Sequence, residues 1–241
     1  MIHFLASMPR SGSTLLASLL GQRADTYVSP TSNLGETLGA VVYAFENNPA
    51  TQAGECTKEE LYRTLKGVVD AKYSDRTETI ILDKGRNWPL PQITATMNKS
   101  MGKPIKIVAT VRPIAECIAS FFLIDKGKDI KTWMRNSPLF VHLMESYYNL
   151  KDGYEANPDQ YCLVEYDNLV NHTQKELDRI SDFLGIDRQK FSSKIEEVKE
   201  NDNAWGVENL HTLGDKIYKD TTDAKKILGQ DLFELYSGGE F

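Results

Sequence analysis

Four groups of residues in this chain carry side chains suited to handling a small anion. The first is Ser7-Met8-Pro9-Arg10-Ser11-Gly12-Ser13-Thr14. Gly12 lets backbone N–H groups approach a phosphate or sulfate closely, and Ser13 and Thr14 add hydroxyl donors beside it. The Arg10 guanidinium can fork onto two anion oxygens. The second group is Asp83-Lys84-Gly85-Arg86, an acid and two cations in one short stretch. The third is Arg112 with Ser120 eight residues later, and the fourth is the late stretch 209–219 with His211, Lys216 and Lys219. Each group also has a plain reading. The first fits a Ser/Gly turn that binds nothing, the second a solvated charged turn, and the lysines and His211 fit a surface.

The elements that would position these groups can be read from apolar spacing. Residues 2–6 form a short apolar run of strand length, and 15–20 read as a helix. The first group therefore sits at a strand-to-helix turn, where backbone N–H groups and a helix dipole converge on an anion. Residues 27–33 read as a polar loop, and a helix follows over about 34–46 with Glu36 at its start. Thr57 and Glu60 match a capping box, with Leu61, Leu65, Val68 and Val69 at helical spacing behind them, giving a helix to about residue 73. A second strand over 79–82 delivers Asp83 and Lys84 to its carboxyl end, where open α/β sheets bind ligands.

A third strand over 105–111 ends at Arg112, and Pro113 takes the first position of a helix over 114–124. Ser120, nearly two turns beyond Pro113, then shares the face of the helix start and can meet the same anion as Arg112. Residues 129–149 read as one or two helices around Pro138, with His142 as a satisfied core histidine. A fourth strand covers 161–166, and Thr173 with Glu176 caps a further helix that ends at Gly185. Beyond it the chain is polar and irregular until about residue 224.

A chain of 241 residues with 41% apolar composition is expected to form one α/β domain over 1–241. Its net charge of −6, with no basic run, argues against nucleic acid as a partner. Cys56, Cys117 and Cys162 are widely spaced, which suits a reducing compartment and matches neither a zinc pattern nor a disulfide framework. No stretch approaches the length of a membrane span. The first anion loop begins so early that it leaves no room for a leader, so a cytoplasmic location is expected. Nothing in the pattern speaks to oligomeric state.

The usual Walker A sequence is absent. No glycine opens the first loop, no lysine precedes Ser13 or Thr14, and no Walker B acid can be assigned, so the loop looks built for an anion without a metal. Here the chain resembles the sulfotransferases that use 3′-phosphoadenosine 5′-phosphosulfate (PAPS), whose loop reads P-[KR]-S-G-[ST]-T. Arg112 and Ser120 match that family's arginine at a strand end and serine eight residues on. The stretch 163–185 is similar to its late core, "v-x-Y-E-D-L … F-L-G". The resemblance spans about residues 2–235 and is vague between 40 and 75.

The resemblance implies a doubly wound α/β fold with a central, mainly parallel sheet of four or five strands, like that of P-loop NTPases. It implies PAPS as donor, 3′,5′-ADP as product, a hydroxyl or amine acceptor and no metal. Arg10, Ser11, Gly12, Ser13, Thr14 and Lys84 would serve the sulfuryl end. Arg112 and Ser120 would hold the 3′-phosphate and exclude ATP. The loop with His211, Lys216 and Lys219 would fold over the cofactor. Many cytosolic members place a histidine base two residues after the lysine, but that position is Arg86 here. Glu36 is the first choice of base, Asp83 the second and His211 the third, although a glutamate at Glu36 can equally complement a helix dipole. The alternatives are a P-loop nucleotide kinase using ATP and Mg²⁺, and a non-catalytic nucleotide-binding module. Sugar, lipid, peptide tyrosine and small alcohol all remain open as acceptor.

Overall fold

Alternation along a strand sends successive side chains to opposite faces of a sheet, so an all-parallel sheet needs apolar cover on both. In the computed structural model, which describes residues 1–195, 202, 208 and 210–238, five parallel strands lie in the order β2-β3-β1-β4-β5. They are β1 (Ile2–Ser7), β2 (Thr26–Thr31), β3 (Ile80–Lys84), β4 (Ile107–Val111) and β5 (Tyr161–Glu165). Leu5, Leu82, Val108, Cys162 and Val164 pack with helix α1 (Ser13–Leu20) and the helix Thr173–Leu184. Phe4, Ala6, Ile107, Ala109 and Val111 pack on the other side, with helix α2 (Leu34–Glu46) and the helices Lys58–Lys72, Ile114–Ile124 and Pro138–Ala156.

The chain builds β2 and β3 on one side of β1, then β4 and β5 on the other. The order therefore reverses beside β1. In doubly wound sheets the crevice outside the strands' carboxyl ends at such a reversal is where ligands bind. The Arg10–Thr14 loop leaves β1 at that point, and Arg112 follows the last residue of β4. Among the described residues, no helix is long and apolar enough to cross a membrane.

Several local expectations need correction. Residues 26–31 form a strand, not a loop, despite Ser29, Pro30 and Thr31. This strand lies at the sheet edge and pairs only with β3, so an exposed Pro30 removes no needed ladder bond. Strand β3 continues through Asp83 and Lys84, which sit in register with Phe4 and Leu5 of β1. Pro113 is the N-cap, extended at ψ 127°, and the helix begins at Ile114. Thr173 does not cap its helix, because the short helix Tyr166–Asn171 ends just before it and the Thr173 hydroxyl donates back to the Leu169 carbonyl at 2.7 Å. Glu176 instead pairs with Arg179 at 2.6 Å. The Thr57–Glu60 capping box forms with both of its reciprocal bonds.

His3 gives the fold a pH dependence that can be measured. It is buried in β1, and its Nε2 has no hydrogen-bond partner among the described residues. Burial, followed by the nearby Lys106 charge, lowers its pKa to about 4. An unfolded histidine titrates near 6.5, so between these values the unfolded chain takes up a proton that the folded chain refuses. Stability must therefore fall as pH drops from about 6.5 to about 4, with His3 contributing a slope of up to ~1.4 kcal/mol per pH unit. We expect His3→Gln to flatten the pH dependence of urea-unfolding free energy in that window. Parallel curves for the two proteins would show that His3 does not titrate this way.

Candidate active site

The loop after β1 is shaped by one buried hydroxyl. Ser11 Oγ lies 2.6 Å from the Met8 carbonyl, 2.9 Å from the Thr110 carbonyl and 2.7 Å from the Thr110 hydroxyl. The Ser11 N–H is also spent, on the Met8 carbonyl at 3.3 Å. Ser11 therefore bolts the loop to β4, with its hydroxyl and its N–H both directed at groups of the protein. Arg10 on one side has φ 67° and Gly12 on the other has φ 94°. A Cβ on Gly12 would lie 2.8 Å from the Tyr166 ring, so glycine is required there for space as well as for dihedral.

The N-terminus of α1 opens from this turn with no side chain capping it. Its first N–H groups have no carbonyl one turn back, which makes the end a natural anion seat. It borders a cavity of about 320 Å³ whose walls include Arg10, Ser13, Thr14, Arg112, Ser120 and Lys216. Gly12, Arg86, His211, Tyr166 and Asp220 also face this space. The structure thus brings together most of the loop, both members of the Arg112–Ser120 pair, and two of the three late candidates. Lys219 is not on the wall; it pairs with Asp167 at 2.7 Å on an exposed surface.

The two guanidiniums are held by the chain itself. Arg10 Nε donates to Ser120 Oγ at 3.1 Å, and its Nη1 donates to the Leu210 carbonyl at 2.7 Å. Arg112 Nε donates to Glu116 at 2.8 Å, and its Nη1 to Asp220 at 3.0 Å and to the Arg10 carbonyl at 3.4 Å. Tyr166 stacks on the Arg112 guanidinium with 4.5 Å to the ring centroid. The resemblance to the late core spoke only to fold, yet it places Tyr166 against both Gly12 and Arg112. Asp220 and Glu116 carried no signal in the sequence.

Asp83 and Lys84 part company at the end of β3. Lys84, two residues beyond Leu82, shares the face of α1 and lies in register with Leu5. It is buried and is not on the cavity wall. Asp83 faces the opposite side with no exposed surface. It accepts from Ser32 at 2.8 Å, from Trp88 Nε1 at 2.9 Å and from the Tyr73 hydroxyl. Burial pushes its carboxyl up while these three donors hold it as an acceptor. Like Glu36, Asp83 is not on the cavity wall.

Its role is to gather three segments. Ser32 passes the contact on by accepting from the Leu34 N–H at 3.0 Å, which fixes the start of α2. Glu36, in the first turn of α2, is exposed and accepts from Asn87 Nδ2 at 2.9 Å. Asn87 belongs to the loop that follows Lys84, so Glu36 overhangs the carboxyl end of β3. His211 Nδ1 lies 2.6 Å from Asp202, and its N–H donates to the same carboxylate at 3.1 Å. Of the late stretch, Asn209 lies outside the described residues. His142 is half-buried with its Nε2 against Arg86 Nη1; burial first, then the Arg86 charge, lowers its pKa to about 4.

A family model for the sulfotransferase domain matches residues 3–232. Among solved structures, the sulfotransferase domain from the curacin biosynthetic pathway is 20% identical, with a TM-score of 0.52 over 78% of this chain and 75% of that one. The sulfotransferase domain of the Synechococcus PCC 7002 olefin synthase is 23% identical, with a TM-score of 0.51 over 78% and 74%. A sulfotransferase from Alicyclobacillus acidocaldarius is 14% identical, with a TM-score of 0.52 over 78% and 82%. At such identities the structures testify to the fold. No curated protein matches the chain by sequence. The family match nevertheless runs through all five strands, the Arg10–Thr14 turn and the Arg112–Ser120 pair, and the chain belongs to the sulfotransferase domain family.

Proposed function

We propose that this sulfotransferase takes its sulfuryl group from PAPS and passes it to a hydroxyl or amine acceptor, releasing 3′,5′-ADP. The observation that carries the reading is a reversal of charge. Among the described residues, the cavity wall holds Arg10, Arg86, Arg112 and Lys216 against one carboxylate, Asp220, in a chain of net charge −6. Such a site concentrates a small polyanion and little else. Its volume of about 320 Å³ is in the range of small-molecule pockets.

The residues present fit the two anionic ends of that donor. The open N-terminus of α1 and Arg10 suit a 5′-phosphosulfate. Arg112 and Ser120 suit a 3′-phosphate, which ATP lacks. When bound, PAPS supplies a sulfur whose bond to the phosphate oxygen breaks as the acceptor attacks. Arg10 and the N–H groups of Ser13 and Thr14 stabilise the negative charge that grows on the departing nucleotide, while Lys84, buried off the cavity wall, does not reach it directly.

The base must lie across from that nucleotide, because transfer needs the attacking and leaving atoms in line. The nucleotide ligands sit at the ends of β1 and β4, so the acceptor enters from the β3 side. Glu36 is there, steadied by Asn87 over the loop after Lys84. His211 is instead next to Leu210, whose carbonyl binds Arg10, and so belongs to the nucleotide side. Glu36 is off the cavity wall, which His211 lines, so its place as the group that takes the acceptor's proton rests on its position on the β3 side alone. A reducing, cytoplasmic setting belongs to the same reading, with Cys56, Cys117 and Cys162 all free thiols.

Labelled PAPS incubated with a panel of hydroxyl and amine acceptors should give labelled product, and turnover should persist in excess EDTA. Loss of turnover on chelation with rescue by Mg²⁺ would favour the kinase alternative. Arg112→Ala should weaken 3′,5′-ADP binding by about 2–3 kcal/mol in titration calorimetry while 5′-AMP binding changes little. Equal losses for both nucleotides would take Arg112 away from the 3′-phosphate. Glu36→Gln should lower kcat by ~10²–10⁴-fold and leave 3′,5′-ADP affinity unchanged. If Glu36→Gln turns over normally while His211→Ala is dead, the base is His211.

A further inference from the structure

Segment 210–222 presses two oxygen acceptors onto the two guanidiniums of the cavity. The Leu210 carbonyl takes Arg10 Nη1 at 2.7 Å, and the Asp220 carboxylate takes Arg112 Nη1 at 3.0 Å. Arg112 also pairs with Glu116, but the two acids differ in kind. Glu116 is one helical turn from Arg112 and orients it from within its own segment. Asp220 arrives from 108 residues away, on a stretch of chain with little regular structure. The side chain of Arg112 is 3% exposed and that of Asp220 is 25% exposed, so the pair sits at the cavity wall with the acid on the open side.

We infer that Asp220 is an internal stand-in for the donor's 3′-phosphate, competing with PAPS and 3′,5′-ADP for Arg112. This rests on the PAPS reading above and adds a residue that sets affinity. An ionised carboxylate and a phosphate offer a guanidinium the same chemistry, charge-assisted acceptance of N–H bonds. The phosphate brings more charge and more acceptor oxygens, so it can win the exchange.

Two further contacts of Asp220 support such an exchange. Asp220 Oδ1 accepts from the Thr222 N–H at 2.9 Å, so a carboxylate pushed off Arg112 keeps one partner within its own turn. The Asp220 N–H donates to the Tyr166 hydroxyl at 3.1 Å, which anchors the backbone while the side chain swings. Tyr166 in turn stays stacked on Arg112. After transfer the same carboxylate can return to Arg112 and displace the product's 3′-phosphate.

The test compares wild type with Asp220→Asn, which keeps the shape and the Thr222 contact but loses the charge, and with Asp220→Ala as a second variant. Removing a competitor raises the fraction of binding-competent protein, so both variants should bind 3′,5′-ADP about threefold tighter or more. Its dissociation, followed by stopped flow, should slow, and 5′-AMP affinity should not change. Equal or weaker 3′,5′-ADP binding by both variants, against a wild type that prefers 3′,5′-ADP to 5′-AMP, would overturn the competition and leave the PAPS reading standing. A wild type with no such preference would overturn both together.

Discussion

The buried Ser11 hydroxyl is the contact on which the geometry of the site depends. It lies against carbonyls of Met8 and Thr110 with no exposure of its own. Two neighbouring strands are joined there at the level where both end. With Ser11 pinned, Arg10 and Gly12 must take left-handed dihedrals, and α1 must start by aiming its uncapped N–H groups at the crevice. A left-handed arginine costs about 1–2 kcal/mol, which the bolt and the two bonds of the Arg10 side chain offset. An anion seat made of backbone keeps its shape only if the turn is fixed by something other than the anion, and Ser11 does this.

A similar economy operates at the end of β3, where adjacent residues serve opposite faces. Lys84 shares the face of α1, while Asp83 faces the other side and ties Ser32, Tyr73 and Trp88 to one buried carboxylate. The acid is therefore a brace, since it holds the start of α2 and the loop that carries Asn87. Gly35 lets those two segments close up, because a Cβ there would lie 3.2 Å from Asn87 Cβ. Glu36 can overhang β3 because Asp83 holds what lies beneath it.

The sequence made legible whatever depends on near neighbours. The strand-turn-helix of the first loop, the capping box at Thr57 and the left-handed Gly185 that ends its helix are all local devices, and all are present. The cores of β1, β3, β4 and β5 were also visible, since burial on both faces leaves runs of apolar residues. Strand β2 was not, because an edge strand tolerates the serine, proline and threonine that mark a loop. Ser11 and Asp83 read as ligand and base because their chemistry suits both roles. Only contacts to Thr110 and Tyr73, far off in sequence or in a separate element, show that each is committed to the scaffold. Tyr166 and Asp220 join the site through equally distant contacts.

A site of this kind faces a problem before any ligand arrives. Guanidiniums gathered in one wall repel one another, and burying them without partners would cost several kcal/mol each. The chain solves this for Arg10 with a hydroxyl and a carbonyl, which are dipoles and yield easily to a full charge. For Arg112, nearly without exposure, it uses carboxylates. A permanent full complement would stabilise the empty site and close it to phosphate. Splitting the task between Glu116, fixed on the adjoining helix, and Asp220, on a distant segment, leaves the arginine oriented when one acid departs. The same division lets an acidic protein hold a cationic pocket open for an anion without losing its fold when that anion leaves.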